Sequence, residues 1–166
     1  MKRRTFLELS VLSTVSLPVF SEEGSVPSIL PGGIYAVIEA VQEHMFPEGS
    51  VIPGAKMFHA TPFLVETIAN RTYDKEIREF VIAGAEELQS RERGAFLTYD
   101  TGGKERALRA YEKTEYGGGW LDRIMLLSLE GLLSDPIYGG NFREAGWRSL
   151  QTRGGDPGPT VKYIAL

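Results

Sequence analysis

The 166-residue chain contains no cysteine and only two histidines, His44 and His59. The absence of cysteine excludes disulfide bonds, thiolate nucleophiles, cysteine-ligated iron–sulfur clusters and the Cys-x-x-Cys-His attachment of c-type haem. A zinc or iron site needs three or four convergent ligands, and neither histidine belongs to a His-x-x-x-His or Glu-x-x-His pair. Both histidines are therefore interpreted as structural or surface residues.

The sequence also lacks the patterns of nucleophilic catalysis and of nucleotide binding. No Gly-x-Ser-x-Gly turn is present for a serine nucleophile. The glycine run at 116–120, Tyr-Gly-Gly-Gly-Trp, precedes a helix but has neither the preceding strand nor the Gly-x-Gly-x-x-Gly spacing of a nucleotide loop. We interpret it as a tight turn that lets Trp120 pack. No catalytic, cofactor-binding or metal-binding residue is predicted in this chain.

Basic residues are too few to favour a polyanionic partner. The formal net charge is −4, and removal of residues 1–21, which contain Lys2, Arg3, Arg4 and Glu8, would change it to −6. An acidic domain of this size offers no electrostatic attraction for nucleic acid or for an anionic membrane surface.

Strand-like alternation is absent, and apolar periodicity predicts an all-α fold, a small bundle of about five helices. The helices are expected at 34–47, from Thr61 as N-cap with Pro62 at the first helical position, from Asp74, at 104–115 and at about 119–133. The first carries one stripe made of Ile34, Val37, Ile38, Val41 and Met45.

The fifth predicted helix is apolar nearly all round, which places it either at the centre of the bundle or with one face against another protein. Residues 134–166 follow it as a long irregular tail, rich in glycine and proline. A structureless stretch of that length is unusual inside a compact domain unless it is functional. We therefore expect the tail to lie along a partner.

The N-terminus has the features of an export signal. Arg3 and Arg4 are followed by a spacer residue and then by Phe6 and Leu7, as in twin-arginine signals. The apolar stretch at 9–20 is too short to span a bilayer comfortably, and its apolar residues cover every helical face, which disfavours an amphipathic cytoplasmic helix. Residues 1–21 are predicted to be a twin-arginine-type signal peptide and residues 22–166 a single helical domain.

The segment that follows the fifth helix is the most informative part of the chain. It reads Ser-Asp-Pro-Ile-Tyr-Gly-Gly-Asn over 134–141, with Gly146 and Trp147 soon after. The Asp-Pro step ends the helix, and the paired glycines allow a positive φ or a close approach of the backbone to a neighbouring element. From chemistry alone, an ordered turn and a docking surface remain equally open.

This segment resembles the signature of the gluconate 2-dehydrogenase subunit 3 family, the small subunits of bacterial periplasmic flavin-dependent sugar and polyol dehydrogenases. Two further stretches are similar to the family: the helix at 34–47, which runs into Met-Phe-Pro, and the Pro-Gly-Ala step at 53–55. The resemblance spans residues 34–147. The later Gly-Gly-Asp-Pro-Gly-Pro stretch at 154–159 is similar to the family's C-terminal pattern but departs from it.

The resemblance implies a non-catalytic subunit that binds a large flavoprotein, assists its maturation and carries the twin-arginine signal for export of the folded pair. It implies FAD in the flavoprotein, haem c in a multihaem cytochrome subunit where one is present, the twin-arginine translocase as a transient partner, and a periplasmic location, at the inner membrane through the complex. The partner interface is expected at the segment's signature residues: Asp135, Pro136, Tyr138, Gly139, Gly140, Asn141, Gly146 and Trp147.

Two other functions remain open from the sequence. One is a periplasmic helical binding or scaffold protein unrelated to oxidoreductases, and the weaker one is a stand-alone enzyme with an unrecognised site. A neighbouring reading frame that encodes a large protein with an N-terminal Gly-x-Gly-x-x-Gly would favour the dehydrogenase subunit.

Overall fold

A computed structural model of the chain describes residues 30–162, and within that range it is all-α. The predicted export residues Arg3, Arg4, Phe6 and Leu7 lie outside the described residues. The described residues form six α-helices: α1 (Gly32–Met45), α2 (Ala60–Ala69), α3 (Lys75–Arg91), α4 (Thr101–Glu112), α5 (Glu115–Leu133) and α6 (Ala145–Ser149). Short 3₁₀ turns lie at Phe96–Thr98, Pro136–Tyr138 and Phe142–Glu144.

Helix α5 is the centre of the bundle, because it contacts each of the other five helices. Its inner face buries Trp120, Ile124 and Leu127 completely. The apolar stripe of α1 packs into the same core, with Val37 and Val41 fully buried. Much of the apolarity of α5 thus reflects neighbours on several sides, as expected for a central helix, but Leu126, Leu129 and Leu133 remain exposed on its outer face.

Trp120 is locked into α3. Its Nε1 donates to the Val81 carbonyl at 2.9 Å, and a Cβ placed on Gly84 would lie 2.0 Å from its ring. The Tyr111 hydroxyl donates to the Gly84 carbonyl at 3.0 Å. Only glycine at position 84 therefore allows α3, α4 and α5 to meet around this ring.

A network of buried side-chain hydrogen bonds joins α1, α2 and α5. The Gln42 amide donates to Ser128 Oγ at 2.9 Å, and Thr61 Oγ1 donates to Gln42 Oε1 at 2.7 Å. Ser128 Oγ in turn donates to the Ile124 carbonyl at 2.7 Å. Each of these buried groups has a hydrogen-bond partner, so the hydrogen-bond network fixes the register of the three helices without leaving an unpaired group.

The predicted starts of α2 and α4 are wrong. Helix α2 begins at Ala60, and His59 rather than Thr61 is its N-cap residue, because the Thr61 hydroxyl is engaged by Gln42. Helix α4 begins at Thr101 rather than at residue 104, because the Asp100 carboxylate accepts from the Gly103 backbone amide at 2.7 Å and caps the helix earlier. The predicted start of α3 at Asp74 is confirmed, since Asp74 is its N-cap residue and accepts from the amides of Glu76 and Ile77.

The glycine run at 116–120 is helical, so its interpretation as a tight turn is wrong. Thr114 caps α5 by accepting from the Gly117 amide at 3.0 Å, and α5 begins at Glu115. A Cβ on Gly117 would lie 2.3 Å from the Tyr111 carbonyl oxygen. Gly117 thus permits a close approach of α4 and α5, a role in helix packing rather than in a turn.

The region 134–166 is less irregular than predicted. Two 3₁₀ turns and α6 occupy most of it up to Ser149, and α6 packs against α5. Of residues 134–162, only the stretch after Gln151 is a long run without helical structure.

Candidate functional site: the segment after α5 and the neighbouring groove

The segment 134–147 satisfies the carbonyl groups that α5 leaves unpaired at its C-terminus. The last carbonyls of any helix lack an intrahelical donor. Trp147 Nε1 donates to the Leu133 carbonyl at 2.9 Å, and Asn141 Nδ2 donates to the Ser134 carbonyl at 2.9 Å. Ser134 Oγ donates to the Gly131 carbonyl at 3.2 Å. Side chains well separated in sequence thus cap α5.

Asp135 and Pro136 begin the turn that follows α5. The Asp135 carboxylate accepts from the Ile137 amide at 3.0 Å, and the 3₁₀ turn Pro136–Tyr138 follows. The turn ends at Gly139, whose φ of 91° lies in the region that glycine adopts without strain. A Cβ at Gly139 would lie 2.7 Å from Glu66 Oε2, so glycine also leaves room for that carboxylate.

Asn141 links the end of α5 to the start of α6. It is fully buried and left-handed, with a φ of 45°. In addition to its bond to Ser134, its Oδ1 accepts from the Gly146 amide at 2.8 Å. Asparagine suits this position because it tolerates the left-handed region and offers a donor and an acceptor from one short side chain.

Two glycines bring this segment against the backbone of α5. A Cβ on Gly140 would lie 2.4 Å from the Gly131 carbonyl oxygen, and one on Gly146 would lie 2.0 Å from the Leu132 carbonyl oxygen. Neither position can carry a larger side chain without moving the segment away from the helix.

The structure therefore divides the predicted interface residues into two groups. Gly140, Asn141 and Gly146 are buried within the chain and support its own fold, so any contribution to a partner contact from them is indirect. The remaining five are half-buried and keep part of their surface exposed: Asp135, Pro136, Tyr138, Gly139 and Trp147. The interface role of the segment stays a prediction.

One contact at this site was not anticipated from the sequence. The ring of Phe142 stacks on His59, with centroids 4.0 Å apart and an interplanar angle of 9°, and the Arg143 guanidinium lies 5.1 Å from the Phe142 centroid. The Phe142 amide donates to the Phe58 carbonyl. Partial burial lowers the pKa of His59 below its usual value of 6.5. His59 is thus a structural residue that joins the start of α2 to the segment.

The stability of the folded chain should decrease as the His59 imidazole becomes protonated. A base with a lowered folded pKa binds protons less readily than in the unfolded chain, so stability is lost as pH falls below 6.5. We expect the free energy of unfolding, measured with urea, to fall more between about pH 7.5 and about pH 5 in the parent than in His59→Asn. Asparagine is chosen because it tolerates the left-handed backbone conformation of residue 59. Equal losses in the two proteins would contradict this assignment.

Beside the segment, α2 and α5 leave an open groove of about 700 Å³, termed here the α2–α5 groove. Its lining comprises Phe63, Glu66, Thr67, Asn70, Thr72, Tyr73, Leu126, Leu129, Glu130, Leu133, Ser134, Tyr138 and Lys162. The α5 leucines remain 45, 36 and 48 % exposed at positions 126, 129 and 133. Tyr138 belongs to both the segment and the groove, so the two features adjoin.

Within residues 30–162, no group of three or more His, Asp or Glu side chains is placed to hold a metal ion. His44 Nε2 lies 2.5 Å from Glu105 Oε2, and this contact, with Arg109, lowers the pKa of Glu105. The pair lies on the surface between α1 and α4, away from the segment. None of the helices described is both long and apolar enough to cross a membrane.

Comparison with known proteins adds one match. The family model described as Gluconate 2-dehydrogenase subunit 3 matches residues 34–155. The match begins in α1, includes the whole segment after α5 and ends in the glycine-rich stretch beyond α6. No curated protein and no solved structure matches the chain.

Proposed function

The chain belongs to the gluconate 2-dehydrogenase subunit 3 family, and we propose that it is the non-catalytic small subunit of an FAD-dependent dehydrogenase complex that oxidises CH–OH groups of sugars or polyols. The family match, which covers the described helices apart from the first two residues of α1, is the observation that carries the proposal. The family name itself denotes a subunit of a multi-subunit dehydrogenase.

In the proposed complex, the partner flavoprotein holds FAD and the substrate, and a multihaem cytochrome c subunit, where present, accepts the electrons. The present chain binds the folded flavoprotein, assists its maturation and supplies the twin-arginine signal. The complex then resides in the periplasm, at the inner membrane. The acidic, cysteine-free composition is consistent with a protein that contributes contacts rather than redox chemistry.

The partner contact is proposed at the exposed side of the segment 134–147. This segment is held in place because the side chains of Asn141 and Trp147 donate hydrogen bonds to carbonyls at the end of α5. A surface held in one conformation loses little conformational entropy on docking. Tyr138 is a half-exposed aromatic residue of this segment, and tyrosine is enriched among residues that dominate binding energy.

Replacing Tyr138 by alanine should weaken association with the flavoprotein by about thirtyfold, which corresponds to about 2 kcal/mol. Association would be measured with the purified flavoprotein subunit, and folding by the melting temperature of the free small subunit. Trp147 is unsuitable for this test, because its indole also caps α5 and contacts Gly154.

Tyr116→Ala is the matched control. Tyr116 is 39 % exposed and packs edge-on against Phe80 near the start of α5, at the opposite end of that helix from the segment. We expect this variant to bind like the parent. Unchanged binding of Tyr138→Ala, or an equal loss in both variants, would contradict docking through the segment.

A further inference from the structure

The α2–α5 groove is formed by matching faces of two helices. From each helix, residues at positions i, i+3, i+4 and i+7 line it: Phe63, Glu66 and Thr67 of α2 with Asn70 directly after it, and Leu126, Leu129, Glu130 and Leu133 of α5. Such spacing defines one face of a helix, and here each face is two turns, about 10 Å, long. A third helix can pack along two faces of this kind, so the groove has the geometry of a helix-binding site.

The two walls of the groove differ in polarity. The α5 wall presents three leucines that remain 36–48 % exposed. The α2 wall presents the half-buried polar side chains of Glu66 and Thr67. Small soluble proteins rarely leave a large contiguous apolar surface uncovered. A helix that fits both walls is therefore amphipathic, with its apolar stripe toward α5.

The charges of the groove favour a basic occupant. Two carboxylates and one ammonium group line it, those of Glu66, Glu130 and Lys162, so the lining is negative by one charge. Lys162 forms an ion pair with Glu66, and a cationic side chain is thus already accommodated beside the apolar wall. Glu130 forms no ion pair within residues 30–162. A lysine or arginine on the occupant would complete the charge balance at Glu130.

The groove is continuous with the surface at which the flavoprotein contact is proposed. Tyr138 lines the groove and also belongs to the segment 134–147. A flavoprotein docked on the exposed side of that segment would therefore also face the open groove.

We propose that the α2–α5 groove binds an amphipathic helix of the flavoprotein. The apolar stripe of this helix packs on Leu126, Leu129 and Leu133, and a basic side chain pairs with Glu130. This inference rests on the proposed function, because it names the element of the flavoprotein that docks.

A single thiol in the groove reports whether the groove is occupied, since the parent chain contains no cysteine. Thr67→Cys places the thiol on the α2 wall without altering the leucines. With purified flavoprotein at about ten times its Kd, we expect a maleimide to modify this thiol about tenfold more slowly, because only the free fraction reacts. Mass spectrometry of the small subunit measures the modification separately from cysteines of the flavoprotein. If Thr67→Cys fails to fold, Leu126→Cys, at a 45 % exposed lining position, is the second probe.

The same thiol can identify the occupant. Cross-linking through benzophenone maleimide should capture a flavoprotein segment with apolar residues at i, i+3 or i+4 and i+7, together with a lysine or arginine. A captured segment without this pattern would overturn the proposed chemistry of the occupant.

A charge-reversal variant tests the contribution of Glu130. We expect Glu130→Lys to weaken association with the flavoprotein about tenfold at low salt, and by less at high salt, because salt screens the new repulsion. Glu86→Lys is the matched control, since Glu86 is an exposed residue of α3 outside the groove lining and the charge change is the same. This control should bind like the parent.

The possible failures distinguish this inference from the proposed function. If the complex forms but the groove thiol reacts as fast as in the free subunit, or if Glu130→Lys binds like Glu86→Lys, the groove is not the docking site and the subunit role still stands. Protection in the free subunit that disappears on dilution would make a second copy of the chain the occupant and would also overturn the inference. If the parent does not bind the flavoprotein at all, the proposed function is wrong, and this inference with it.

Discussion

Replacing Asn141 by alanine should lower the free energy of unfolding by about 3 kcal/mol, because the change leaves buried hydrogen-bonding groups without partners. The Ser134 carbonyl would lose its donor and the Gly146 amide its acceptor. Asn141 is fully buried, so water cannot replace either partner without opening the segment. The measurement is urea unfolding of the free subunit.

Two further variants at the same position separate the causes of this loss. Asn141→Gly removes both hydrogen bonds but tolerates the φ of 45°, so it should be about 1 kcal/mol more stable than the alanine variant. Asn141→Asp keeps the acceptor for Gly146 and loses the donor to Ser134. A wild-type stability for the alanine variant would refute the structural role assigned to Asn141.

The bundle itself could be predicted because its signals are local. The stripe on α1 and the start of α3 at Asp74 depend on residues within a few positions of each other, and both are present in the structure. The apolarity of α5 on all sides left two alternatives, the centre of the bundle or a face against another protein, and the structure places α5 at the centre. Such patterns are set by helical periodicity, which is readable in a sequence.

One error came from a long-range partner that no local pattern reveals. Thr61 resembles an N-cap, yet its hydroxyl donates to Gln42 in a buried hydrogen-bond network that also includes Ser128, 86 residues beyond Gln42. Local propensity is a weak prior, and tertiary contacts override it at such positions. Another error was local: the glycines before Trp120 resemble a turn, but Thr114, three residues before Gly117, caps a helix that includes them.

The candidate site was located from the sequence, but its internal organisation was not. The Asp-Pro step predicted the end of α5, and the paired glycines predicted a positive φ or a close backbone approach. The helix ends at Leu133, Gly139 has a φ of 91°, and Gly140 lies close to the α5 backbone. The sequence could not indicate that Asn141 faces inward while Tyr138 stays half-exposed, since that depends on how closely the segment approaches α5.

Replacing Arg3 and Arg4 together by lysine should reduce the periplasmic amounts of both this subunit and its flavoprotein by about tenfold or more, because twin-arginine recognition requires the arginine pair. Lysine keeps the positive charge but not the planar guanidinium, so an effect of the exchange reports recognition rather than charge. The amounts of both proteins would be measured in periplasmic and cytoplasmic fractions, together with dehydrogenase activity.

Lys2→Arg is the matched control, since it alters a neighbouring basic residue and leaves the arginine pair intact. Export of both proteins should then equal that of the parent. If the lysine pair blocks export of this subunit alone, the flavoprotein carries its own signal and the shared-export part of the proposal is wrong. If neither protein nor the activity changes, residues 1–21 do not serve as a twin-arginine signal. Loss of both proteins from the periplasm, with a folded pair retained in the cytoplasm, is the outcome that a shared signal requires, because this pathway transports proteins that have already folded.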